Sequence, residues 1–228
     1  MSAADPSAKI FIDTIVSMPF AENTYVFWID GREDCLVFDP GLQPGAILQS
    51  LDEKGLVPAA ILCTHGHSDH IAGNGAMKER WPDCPLVIGE GDAWKLTDPE
   101  GNLSAQFGLP LLSPPQDAVV NGGDTYEAAG MSWRVLDTPG HSGGHVSFLL
   151  AHGDQSHLVA GDVLFRQGIG RTDFPDGDFE TLRRSVHEQL FPLDEQTIVY
   201  PGHGDRTTIG EEKRLNPFVG AAAGYEVG

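Results

Sequence analysis

Thr64-His65-Gly66-His67-Ser68-Asp69-His70 sets three histidines and an aspartate directly after the apolar run Ala59–Cys63. In extended backbone, side chains two residues apart point the same way, so His65 and His67 can grip one ion from one side. Gly66 between them lets the chain turn without a side chain in the way. Asp69 and His70 then fall near a helix start, within reach of a second ion. Imidazole and carboxylate together suit zinc, iron or manganese. With 9 histidines in 228 residues, His-x-His-x-Asp-His arises by chance in about one such chain in a thousand. The stretch reads as a metal motif rather than a set of structural histidines.

Three further clusters each follow a strand-like run: Thr138-Pro139-Gly140-His141 after Trp133–Leu136, Ala160-Gly161-Asp162 after Leu158–Ala160, and Pro201-Gly202-His203-Gly204 after Ile198–Tyr200. Ligands from successive strand ends can converge at one edge of a layered sheet structure. Alone, His141 or His203 reads as a loop histidine; with the first motif they complete two coordination shells.

Between these points the chain alternates short β-branched runs with Gly, Pro and Asp punctuation. Tyr25–Ile29, Cys35–Phe38, Leu86–Ile88 and Val146–Leu150 join the strands already named. Helical spacing is expected over Ala46–Glu53, Ile71–Trp81 and Phe179–Leu190, the last with apolar residues at Phe179, Leu182, Val186 and Leu190. Thr208-Ile209-Gly210-Glu211 fits a capping box opening a final helix. Many strands with interspersed helices indicate an α/β layered sandwich, whose strand order the sequence leaves open. Residues 1–9 read as a mobile lead, without the regions of a secretory signal, and residues 10–228 as a single domain. Gly91–Asp117 has two readings, a surface connection or a loop walling the site.

Composition narrows the partners. A net charge of −19 leaves no basic patch for nucleic acid. No apolar run approaches the ~20 residues of a membrane span. Cys35, Cys63 and Cys84 form no C-x-x-C pair, so a disulfide framework is not expected and a reducing cytoplasm is the default. A small-molecule substrate remains.

The chain resembles the metallo-β-lactamase superfamily, and within it the short bacterial glyoxalase II (hydroxyacylglutathione hydrolase)-like group. The resemblance runs from about Asn23 to Phe218 and is most specific in Thr64–His70, Thr138–His145, Gly161–Phe165, Gly168–Asp173 and Pro201–Phe218. It implies a four-layered αββα sandwich and two divalent metal ions, zinc first, with iron or manganese as alternatives. His65, His67 and His141 would hold one ion and Asp69, His70 and His203 the other, with Asp162 and a hydroxide bridging them. Two ions sharing a water lower its pKa, and one ion polarises the substrate carbonyl. Asp69 and Asp162 are thereby the catalytic carboxylates, and Asp69 could hold the hydroxide's proton. Asp39 looks like the supporting strand-end acid, with a turn aspartate as the other reading, and His145 packs or bonds beside the site.

Glyoxalase II enzymes of full length resemble one another in a basic C-terminal region that grips glutathione. Val219–Gly228 contains no Lys or Arg, and Gly204-Asp205 follows His203 where an aromatic is usual. Arg171, helped by Lys213 or Arg214, is therefore the candidate substrate contact. Thioester hydrolysis is the expected reaction. A persulfide dioxygenase with a single iron and a lactone or ester hydrolase of the same fold are the alternatives.

Overall fold

Alternate residues of a strand face opposite sides, and the inner strands of the N-terminal half are buried on both. β1 (Ile10–Ser17), β2 (Glu22–Ile29), β3 (Asp34–Phe38), β4 (Val57–Cys63), β5 (Leu86–Gly89) and β6 (Ala118–Val120) pair in that order. β7 (Thr125–Ala128), β8 (Met131–Asp137), β9 (Val146–His152), β10 (Gln155–Gly161), β11 (Ile198–Pro201) and β12 (Thr207–Thr208) form a second sheet, again in sequential order. This computed structural model describes residues 8–227. Of the expected N-terminal lead, only Ala8 and Lys9 fall among them, and both bond to the fold: the Lys9 carbonyl accepts from Asp30 N at 2.8 Å, and the Ala8 carbonyl from His152 Nε2 at 2.5 Å.

Pairing from β3 through β6 is parallel, as is β10 with β11. Parallel neighbours need crossovers. Helix α1 (Pro44–Lys54) joins β3 to β4. Two short helices, α2 (Ser68–Ile71) and α3 (Asn74–Arg80), lie between β4 and β5, and α4 (Phe179–Ser185) between β10 and β11. Helix α5 (Ile209–Leu215) follows β12.

Three buried clusters define four layers. Tyr25, Phe27, Leu36, Phe38 and Leu62 of the first sheet meet Trp133, Val135, Phe148, Val159 and Tyr200 of the second. The opposite face of the first sheet, with Val26, Val37, Ile61 and Cys63, packs on Ile47 and Leu51 of α1 and Met77 of α3. Outside the second sheet, Leu136, Leu158 and Val199 meet Leu182 of α4 and Ile209 of α5. The result is the expected αββα sandwich.

Two helices differ from the expectation. The helical pattern over Ile71–Trp81 is interrupted at Ala72-Gly73. Gly73 lies so close to Pro40 that a Cβ would stand 2.8 Å from the proline ring, and its N–H donates to the Pro40 carbonyl at 2.7 Å rather than along a helix. The pattern over Phe179–Leu190 holds its apolar spacing, but past Ser185 the turn widens, with Phe191 N donating to Val186 O at 2.8 Å. Thr208 caps α5 as expected, its Oγ1 accepting from Glu211 N at 3.2 Å, while the Glu211 carboxylate accepts from Thr207 Oγ1.

The carboxyl ends of β3, β4, β8, β10 and β11 share one edge of the sandwich. The sheets are tied there by backbone bonds from Val146 N to Thr64 O (2.8 Å) and from Asn23 N to Gly202 O (2.7 Å). Open α/β sheets carry their ligands beyond such strand ends.

Candidate metal centre

All seven residues read as ligands in the sequence meet at this edge. Among the described residues, three sets have ligand atoms mutually within 4.8 Å: His65, His67 and His141; His65, His70 and Asp162; and Asp69, His70 and His203. Asp162 stands between them. Its Oδ1 is 3.4 Å from His70 Nε2, and its Oδ2 is 3.5 Å from His141 Nε2 and 3.4 Å from His203 Nε2. Asp69 Oδ2 is 3.4 Å from His203 Nε2.

Hydrogen bonds behind the rings fix which nitrogen faces inward. His141 Nδ1 donates to the Arg171 carbonyl at 2.7 Å, and His203 Nδ1 to that of Phe20 at 3.0 Å. His70 Nδ1 lies 3.2 Å from Asp39 Oδ2. Thr64 Oγ1 donates to the same Asp39 oxygen and so accepts from His65 Nδ1 at 3.0 Å. With Nδ1 protonated in each, four Nε2 lone pairs converge, as outer partners arrange in metal sites. His67 is reversed, with Nδ1 2.9 Å from His141 Nε2. Asp39 is thus the supporting acid, held at φ +48° with Thr64 N donating to it at 2.7 Å. His145 Nε2 accepts from Asp162 N at 3.1 Å and its Nδ1 reaches Thr138 Oγ1 at 2.8 Å, fixing the backbone of the central carboxylate.

His65 Nε2, His70 Nε2 and Asp162 Oδ1 are buried at this centre without any hydrogen-bond partner. Such atoms each cost about 1–3 kcal/mol, and three in one cluster fit a site built for cations. Charge agrees. Burial holds His65, His67 and His141 below the ordinary imidazole range, leaving them neutral lone-pair donors. Burial also opposes charge on His70 and His203, yet the facing Asp162 and Asp69 push both upward, His203 to about 10. Burial likewise disfavours the two carboxylates, but the neighbouring His70 and His203 hold both low. Small residues make room. A Cβ on Gly66 would stand 2.6 Å from that of Lys95, and one on Gly202 would run into Asp162 Oδ1.

The cluster floors a cleft of about 530 Å³ walled by Phe20, Leu103, Phe107, Phe165, Ile169 and Phe174. Asn102 to Phe107 belong to the segment 91–117, so it is this segment's walling role that the structure bears out. Arg171 lines the cleft, but its guanidinium is paired through two bonds (2.9 and 2.8 Å) with Asp173 and lies over the Phe174 ring. Lys213 is a correction. It is buried on the inner face of α5, with Nζ 3.7 Å from Glu195, and does not line the cleft. Arg214 faces the same glutamate.

Two features went unread in the sequence. Glu22, wholly buried beside the His203 loop, has Oε1 unpartnered, and burial pushes its carboxyl well up. Asp92 and Lys95 form a buried pair behind Gly66. Neither stands in a motif; only their burial marks them.

Comparison with known proteins agrees with this geometry. The family profile described as Metallo-beta-lactamase superfamily matches residues 18–203. The chain is 39% identical over 202 residues to the probable metallo-hydrolase YqgX of Bacillus subtilis, covering 88% of this chain and 93% of that one. It is 35% identical over 210 residues to the hydroxyacylglutathione hydrolase GloC of Haemophilus influenzae, covering 91% and 97%. Among solved structures, the BLEG-1 B3 metallo-beta-lactamase superposes with a TM-score of 0.86 at 36% identity, over 92% of this chain and 99% of that one. TTHA1623 in a di-iron-bound form gives 0.77 at 34%, over 90% and 99%. ETHE1 from Myxococcus xanthus gives 0.76 at 30%, over 92% and 85%. With a family match across most of its length and its histidine and aspartate cluster at the strand ends, this chain belongs to the metallo-beta-lactamase superfamily.

Proposed function

We propose that this protein is a dinuclear metal-dependent hydrolase of acyl thioesters, similar in reaction to glyoxalase II. The observation that carries the reading is the set of unpartnered buried Nε2 and Oδ atoms converging at the floor of a cleft. His65, His67 and His141 would hold one ion, Asp69, His70 and His203 the other, with Asp162 between them. Two divalent ions there supply a water of lowered pKa and polarisation of the substrate carbonyl.

The chain's own residues do the rest. Asp69 lines the cleft with its carboxyl held low despite burial, and can take a proton at a carboxylate oxygen. Phe20, Phe107, Phe165 and Phe174 exclude water around the acyl group. A thiolate leaves as a weak base and needs little help from an acid. The three cysteines are buried in the sandwich and none lines the cleft. Similarity to GloC supports the thioester class.

Because Arg171 is already paired with Asp173, its pull on a glutathione carboxylate is weak. A free charge-assisted contact is worth about 1.5–3 kcal/mol, or roughly tenfold to a hundredfold in affinity. The expected outcome is similar kcat/KM for S-lactoylglutathione and a small neutral thioester, with Arg171→Ala changing either by less than about tenfold. A strong wild-type preference for the glutathione conjugate, abolished by Arg171→Ala, would restore a glutathione grip at that residue.

The second reading is the alternative raised by the sequence, a persulfide dioxygenase with one iron, and the likeness to ETHE1 leaves the specific activity open between the two. The paired ligand sets favour the hydrolase. Elemental analysis with a screen of thioester, lactone, β-lactam and persulfide turnover, the last followed by oxygen uptake, separates these. One iron per chain with oxygen consumption would sink the hydrolase.

A further inference from the structure

We propose that Lys95 is a positioning residue. Its ammonium ties the cleft-wall segment Arg171–Asp176 to the two histidine loops, and so sets how Phe174 and the Arg171 carbonyl stand against His67 and His141.

Lys95 lies in the 3-10 helix Glu90–Thr97 and is 1% exposed. A buried ammonium is costly unless it is paired and fully hydrogen-bonded. Its partners come from three segments: Asp92 Oδ1 at 3.2 Å, Asp176 Oδ2 at 2.5 Å, and Ser142 Oγ. Each partner in turn grips a loop of the site. Asp92 Oδ2 accepts from Gly66 N at 2.8 Å, between His65 and His67, and its Oδ1 from Gly144 N at 2.8 Å. Ser142 adjoins His141 and bonds Asp92 Oδ2 at 2.5 Å. Asp176 Oδ2 accepts from Gly143 N at 2.9 Å.

The third segment is the one that walls the cleft. Its Arg171 carbonyl holds His141 Nδ1, and its Phe174 ring packs on His67 and His141, with centroids 5.2 and 5.6 Å away. Arg171, Asp173, Phe174 and Pro175 all line the cleft. In regular structure this segment has little support: it lies outside every strand and helix of the fold. The Lys95–Asp176 pair therefore anchors its far end, while the Arg171 carbonyl anchors the near one. Asp92 serves the histidine loops, and Lys95 couples them to the wall.

The test uses the metal-loaded protein and two variants. Lys95→Met leaves Asp92 buried and unpaired, and can fail to fold. Asp176→Asn is the decisive variant, because the Asp176 side chain is 35% exposed and Asn keeps its shape. By hydrogen–deuterium exchange, Asp176→Asn is expected to lose protection over residues 171–176 by about tenfold, the size of one charge-assisted bond. Protection over 65–70 and in β10 should stay unchanged. KM for a turned-over thioester should rise by a similar factor, with kcat within about twofold, as befits lost substrate positioning. Asp176→Glu should recover part of both. This kinetic arm rests on the thioester reading, whereas the exchange arm does not. If no thioester is turned over by wild type, the function is wrong and exchange alone decides on Lys95. Unchanged exchange over 171–176 in Asp176→Asn overturns the proposal, and so does a uniform loss of protection across the fold, which marks a purely structural pair.

Discussion

At the residue scale, the proposed ligand set divides by connection. Asp162 faces His70, His141 and His203, whereas His203 faces only Asp69 and Asp162 among carboxylates. Asp162→Ala should therefore lower the content of both ions, and His203→Ala mainly that of the second. Elemental analysis under buffered metal checks this, and wild-type metal content in both variants would remove them from the ligand set. Circular dichroism should remain that of the wild type, because the three apolar clusters lie away from these side chains. All seven residues of the cluster were legible because metal chemistry confines the residue types and the loops hold them at strand ends. Asp39 and His145 were legible by their neighbours. Lys95 and Asp92 were not, since a buried ion pair leaves no mark in a sequence beyond two charged residues in an irregular stretch. Lys213 was misread for the related reason that a charge in the last turns of the chain does not reveal which face of α5 it occupies.

At the element scale, legibility followed burial. All eight strands expected from apolar runs are present, and the four unread ones, β1, β6, β7 and β12, are the edge strands of the two sheets. An edge strand needs only one apolar face or none. β7, Thr125–Ala128, has no fully buried residue, and β12 is two residues long. The strand ends that carry the proposed ligands are shaped by glycines, and two of them separate space from conformation. A Cβ on Gly202 would run into Asp162 Oδ1 and stand 2.7 Å from His70 Cε1. Gly204 has open space around it but φ +78°. Gly202→Ala should displace Asp162 and reduce metal content as Asp162→Ala does. Gly204→Ala should cost about 1–2 kcal/mol in backbone strain and leave metal content intact. Thermal melts read beside elemental analysis distinguish the two, and equal metal content in both variants would mean that the loop gives way around the added methyl.

At the scale of the whole molecule, two sheets and their flanking helices bring three histidine loops and one central carboxylate to a single edge, and the charges there make metal binding depend on pH in a definite order. In the first set, burial holds His65, His67 and His141 below the usual imidazole range, so an ion meets no proton to expel near neutrality. In the second, burial opposes the charge but Asp162 and Asp69 prevail, raising His70 and lifting His203 to about 10. An ion there must displace those protons, and its apparent affinity falls about tenfold per displaced proton for each pH unit of acidification. The raised groups also stabilise the metal-free fold. That contribution is full below the unfolded imidazole pKa and is lost as pH rises through the folded value. Metal-free protein therefore loses this contribution between roughly pH 6.5 and about 10, while the metal-loaded protein tightens its second site over the same range. The gap in Tm between loaded and chelated protein should widen as pH rises from about 6 to 8, since a ligand that binds only the folded state stabilises it in proportion to its affinity. Over the same titration, falling pH should release the second ion before the first, so that bound metal passes through one ion per chain before reaching none. Simultaneous loss of both ions, or a Tm gap that narrows with rising pH, would show that the carboxylates facing His70 and His203 do not set the order.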